Sequence, residues 1–163
     1  MPAKIREAQP PSGLFRLALR VPIWLYRLGL GRLLGDRFLE LIHTGRKSGL
    51  QRRTVLEVVR HDRQSDLYYI AVGFGDHSDW YQNILADPHV EVLSAGEHIQ
   101  AIAQPLSEEK AGDELVNYAH RHPLAFGELV RFMGYKVVGT DPDIHALGKY
   151  IHLFALQPDQ AAT

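Results

Sequence analysis

From Arg37 onward the apolar residues recur at every second position, and this change of period limits the fold more than any other feature. The segments "RFLELIHT" (37–44), "RRTVLEVVRHD" (52–62) and "DLYYIAVGF" (66–74) read as strands, and the polar "HDRQSD" joins the second to the third as a hairpin. "HVEVLSAGEHIQAIAQPL" reads as another hairpin turning at Ala95-Gly96, and "KYIHLFALQP" (149–158) alternates as a last strand. Strands that arrive as hairpins pair antiparallel. The pattern therefore predicts an α+β chain, mainly β: about six mostly antiparallel strands rolled into a small barrel with helical caps.

The caps follow from helix-end signals. "HSDWYQNILADP" carries Ser78 as a candidate cap and Pro88 just beyond its end. Ser107, with Glu108 and Glu109 after it, opens a helix that stops before Pro123. "PLAFGELVRFMG" makes another, with Gly134 at its C-terminal end, and "DPDIHALG" gives a turn or two. Upstream of Arg37 the spacing is helical from Gly13 to about Leu34. Arg16, Arg20 and Arg27 fall on one face, and Pro22 marks a kink or a fresh start. This amphipathic helix packs on the domain or lies at a membrane interface with Trp24 and Tyr26 at the boundary. Its arginines interrupt the apolar run, so it is not read as a membrane span. The expected organisation is an arm over 1–12, a helix over 13–36, a barrel over 37–158 and a tail over 159–163.

Charge and cysteine content remove several function classes. The formal net charge is −1, so no global positive field invites nucleic acid. With no cysteine, disulfides, thiolate catalysis and cysteine-held metals are excluded, and a cytoplasmic location is compatible. The histidines lack helical H-x-x-x-H spacing, so no metal site is expected. His77, Ser78 and Asp79 are adjacent in sequence, which is not the convergence in space that a catalytic triad needs.

Against that neutral background "HTGRKSGLQRR" (43–53) concentrates Arg46, Lys47, Arg52 and Arg53 around two glycines. Backbone N–H groups in a glycine-bearing turn make an anion nest, and the cations add forked and point-charge donors. Neither a Walker loop nor a dinucleotide-binding fingerprint is present. By chemistry alone the turn is an exposed hairpin connection or an anion site.

Together with the later "DWYQNILADP", this stretch resembles the deazaflavin-dependent nitroreductase and quinone reductase family, with its T-T-G-R-K-[TS]-G-x-x-R and W-Y-x-N-[LI]-x-A-[ND]-P motifs. The resemblance implies a split β-barrel and an 8-hydroxy-5-deazaflavin coenzyme (factor 420) carrying a phosphate and a polyglutamate tail. It implies an oxidoreductase that passes a hydride from the reduced coenzyme to an electron-poor acceptor such as a quinone, an enone or a nitro compound. Arg46, Lys47, Ser48 and Gly49 match the phosphate-cradling positions, Arg52 the arginine that follows, and Arg53 and Thr54 the strand passing the cofactor. Trp80, Tyr81 and Asn83 match the motif lining the pocket.

The chain departs from the nitroreductase branch in two places. Gly73 and Phe74 stand near the position of a lysine, and His122-Pro123 replaces a Tyr-Pro step, with Ala125 and Glu128 nearby. The cofactor carries the chemistry, so no dedicated catalytic nucleophile is expected. Tyr118, His122 and Tyr135 are the substrate-side candidates. Two alternatives keep the barrel: FMN, which also has a phosphate, and a non-catalytic site for a lipid or other apolar ligand. A homodimer and a peripheral contact with the inner face of the membrane are further expectations.

Overall fold

The structure, a computed structural model, describes residues 2–4, 28, 35, 37–73 and 75–162. The helix expected over 13–36 therefore lies, but for Leu28 and Gly35, outside the described residues, as does Phe74. Its elements are β1 (Ala3–Lys4), β2 (Phe38–Thr44), β3 (Gln51–Asp62), β4 (Leu67–Ala71), β5 (His89–Ser94), β6 (Glu97–Pro105), β7 (Tyr135–Lys136) and β8 (Leu153–Pro158). The helices are α1 (Asp79–Ala86), α2 (Glu108–Arg121), α3 (Pro123–Phe132) and α4 (Asp141–His145). Six strands close a barrel in the order β2-β3-β4-β8-β6-β5, and every pairing in it is antiparallel. Of the arm expected over 1–12 the structure describes residues 2–4, where Ala3 pairs with Lys136 and Lys4 with Tyr135.

Alternation along the strands builds two cores, one on each face of the wall. Leu39 and Leu41 of β2, Tyr68 and Ile70 of β4, and Phe154 and Leu156 of β8 fill the barrel interior. On the outer face Leu153 and Val59 pack with Leu115, Tyr118 and Phe126 of α2 and α3. Val58 and Val59, successive along β3, face opposite cores, and a bulge between Val58 and Arg60 shifts the register of the pairing with β4. Helix α1 presents Trp80, Asn83 and Ile84, spaced i, i+3 and i+4, on its buried face. Trp80 and Ile84 enter the barrel core, so α1 covers that core while lying beside the 44–51 turn.

The local signals hold in part. Ala95 and Gly96 take positive φ at the second hairpin, Ser107 accepts from the Lys110 N–H at 3.3 Å, and Gly134 is left-handed just past α3. Three expectations need correction. Ser78 precedes α1, but its hydroxyl donates to the Gly75 carbonyl at 3.1 Å and makes no side-chain cap bond. The third strand ends at Ala71 rather than Phe74; the Val72 N–H leaves the ladder for the His152 carbonyl. The last strand begins at Leu153, not Lys149, because residues 146–149 form a 3₁₀ turn seated on α2. There Gly148 lies so close that a Cβ would fall on the Glu108 carbonyl oxygen.

Candidate active site

The turn joining β2 to β3 is closed by its own backbone. The Gly45 N–H donates to the Leu50 carbonyl at 2.8 Å, and the Ser48 and Gly49 N–H groups donate to the Gly45 carbonyl at 3.1 and 2.8 Å. Leu50 N–H reaches Ser48 Oγ at 3.3 Å, and Arg46 N–H reaches Asn83 Oδ1 at 3.0 Å. The nest of free N–H groups suggested by the sequence is therefore used internally. Only the Lys47 N–H has no partner among the described residues. An anion here is met by side chains.

Those side chains differ in freedom. Arg46 Nη1 donates to Asn83 Oδ1 at 2.8 Å and to the exposed Asp79 at 3.1 Å, so this arginine is tied to α1. Arg53 sits 3.3 Å from the buried carboxylate of Glu40. Lys47 and Arg52 have no carboxylate partner among the described residues, and both are exposed. Behind them Asn83 Nδ2 lies 3.2 Å from His43 Nδ1. Burial holds His43 below the ordinary imidazole value of 6.5. A backbone hydrogen bond at Thr44 opposes that, and the charge of Arg52 adds to it.

A cavity of about 1140 Å³ opens beside this turn. Arg46, Lys47, Ser48, Arg52, Arg53 and Thr54 line one end, with Trp80 and Asn83 from α1. Val55, Val59, Ala71, Leu129 and Phe132 make an apolar stretch between β3 and α3, and Gly73 lies on the wall. Tyr118, Glu57 and Arg37 mark the other polar stretch. Tyr118 donates to Glu57 Oε1 at 3.0 Å, and Arg37 lies 3.7 Å from the same oxygen. Burial, then the Glu57 carboxylate, pushes the Tyr118 phenol well above its usual range.

Ten of the residues singled out from the sequence thus line one cavity. Gly49 does not; its positive φ of 66° shapes the turn instead. Tyr81 does not line it either; it packs against the barrel core, where it stacks on His152 and meets Phe154 edge-on. His122 lies along a neighbouring cleft of about 790 Å³ that shares Tyr118 and Glu57 with the first. Tyr135 packs near Tyr150 with ring centroids 5.9 Å apart. Sequence reasoning missed Glu57, Arg37, Asp79 and His43. Glu57 had a signal, a carboxylate inside an otherwise β-branched and apolar run. Among the described residues no cluster of three His, Cys, Asp or Glu forms a metal site, and no helix is long and apolar enough to cross a membrane.

Comparison with known proteins agrees with this architecture. A family model described as F420H(2)-dependent quinone reductase matches residues 19–126. Among solved structures, an F420-H2 dependent reductase (FDR-A) is similar at 22% identity and a TM-score of 0.53, covering 74% of this chain and 94% of its own. A protein described as a domain-swapped dimer is similar at 19% identity and a TM-score of 0.53, covering 83% of this chain and 99% of its own. The heme storage protein HutZ from Vibrio cholerae follows at 13% identity and a TM-score of 0.52, covering 83% and 89%. At these identities the structural likenesses show the fold. No curated protein matches the chain.

Proposed function

The chain belongs to the F420H(2)-dependent quinone reductase family, and from that membership we propose that the cavity beside the 44–51 turn holds the reduced coenzyme against an electron-poor acceptor. The protein is an oxidoreductase, and its cofactor is coenzyme F420. When bound, the reduced coenzyme supplies a hydride to an acceptor of the quinone, enone or nitro class.

The donor set fits the group. Lys47 and Arg52 are cations with no carboxylate partner among the described residues, at the mouth of a large cavity, and that observation carries the reading. They take the phosphate, with Ser48 beside them, while Arg46 is held in place by α1. The apolar stretch between β3 and α3 receives the ring and keeps water from it. Tyr118 and Glu57 form the polar pair at the acceptor end. Tyr118 gives its one hydroxyl proton to Glu57, and the pair sets the shape and polarity of the acceptor end.

Fluorescence titration with oxidised F420 and with FMN tests the proposal. Saturable F420 binding with much weaker FMN binding is expected. Lys47→Ala with Arg52→Ala should weaken F420 binding by about 100-fold, two charge-assisted contacts being lost. Unchanged affinity in that variant would remove the phosphate assignment. The domain-swapped dimer among the structural neighbours supports a homodimer here, which light scattering on the purified chain decides.

A further inference from the structure

His43 is buried at the end of β2 and takes no part in the chemistry proposed above. Its contact with Asn83 nevertheless decides what Asn83 can do. A primary amide has one accepting oxygen and one donating NH2. The oxygen of Asn83 receives two donors from Arg46, the backbone N–H at 3.0 Å and Nη1 at 2.8 Å. Its NH2 must therefore face the other way, and the atom 3.2 Å from it there is His43 Nδ1. That nitrogen accepts only while it carries no proton, so the ring proton sits on Nε2. A flipped amide would set an NH2 against both Arg46 donors and leave Arg46 with its exposed Asp79 contacts alone.

We propose that His43 is a positioning residue: its unprotonated Nδ1 fixes the orientation of the Asn83 amide and so holds Arg46 and the 44–51 turn in the wall where the coenzyme phosphate binds. Burial and the neighbouring Arg52 charge favour the neutral ring that this arrangement requires and outweigh a backbone hydrogen bond at Thr44 that favours the charged one. The amide carries the signal across 40 positions of sequence, from the end of a strand to a helix and back into the turn. Only the last step, from the turn to the coenzyme, rests on the functional reading above.

Two substitutions separate positioning from packing. Asparagine places its side-chain oxygen near where histidine places Nδ1, so His43→Asn keeps the acceptor; His43→Leu keeps the bulk and removes it. Hydrogen exchange at the Arg46 backbone N–H and F420 affinity are the two readouts. His43→Leu should speed Arg46 exchange and weaken oxidised F420 binding about tenfold, and His43→Asn should restore both to within about threefold of wild type. A folded His43→Asn as defective as His43→Leu, or a His43→Leu protein unchanged in Arg46 exchange, overturns the proposal. If the Leu variant does not fold, the ¹⁵N shifts of the wild-type ring decide: a proton on Nδ1 overturns it, and a proton on Nε2 supports it. A wild-type protein that binds no F420 overturns the functional reading, while Arg46 exchange still decides the role of His43.

Discussion

Arg46, Lys47 and Arg52 look alike in sequence and are unlike in place. Arg46 is committed to α1, whereas Lys47 and Arg52 are free to meet a ligand, so removing the latter two should cost affinity and almost no stability. His43 adds a pH dependence. Its folded value lies below 6.5, so the unfolded chain takes up this proton first as pH falls. Stability from this residue is complete above about pH 6.5 and declines as pH drops from there through the folded value. The charged groups around it are Arg52 across the strand pair and, through Asn83, Arg46 and Asp79. Urea midpoints measured between pH 8 and 5 should fall more steeply for wild type than for His43→Asn. Equal slopes would mean that His43 does not titrate differently on folding. The cations themselves were legible in the sequence because charge density is a local property. The His43–Asn83–Arg46 chain was not, since nothing local announces a contact between residues 40 apart.

Between elements, close approach and paired charge position the helices. Gly148 packs on α2 where a Cβ would fall on the Glu108 carbonyl, and a Cβ on Gly112 would come within 2.5 Å of the His145 carbonyl. Gly148→Ala should destabilise the fold by about 3 kcal/mol, roughly 10 °C in melting temperature, because backbone atoms stand in the way. A melting temperature within a degree or two of wild type would show that the 3₁₀ turn can move aside. Helix α2 is further tied to β3 by Arg60, which grips Glu114 through two bonds of 2.8 and 2.7 Å and lies over the Tyr69 ring. Tyr118 adds a third tie through Glu57. Tyr118→Phe should cost about 1 kcal/mol of stability, lower acceptor turnover, and leave F420 affinity as it was. Unaltered turnover would remove Tyr118 from the acceptor end. Here the sequence was informative only about separate pieces. Alternation placed each strand, and the helical turn or two expected over 141–148 is present, but the last strand was started at Lys149 because Ile151 continues the alternation of Leu153 and Ala155.

In the whole molecule, the β8 strand enters the barrel between β4 and β6 after the helical excursion through α2, α3 and α4. Hairpin signals are local and could not give that insertion, although the residues that alternate along β8 fit it, with Leu153 outward and Phe154 inward. The formal charge of −1 leaves the four cations of the turn as a local source of field. Coenzyme binding should therefore weaken several-fold as salt rises from about 0.05 to 0.5 M, where screening becomes shorter than the cavity is wide. Affinity independent of salt would point to binding through the apolar stretch alone. The self-closed turn also has a consequence for time. Its backbone bonds exist before any ligand arrives, so this turn does not have to fold around the phosphate. Capture should be a single diffusional step, with an observed rate that climbs in proportion to coenzyme concentration and never reaches the plateau that a closing loop would impose.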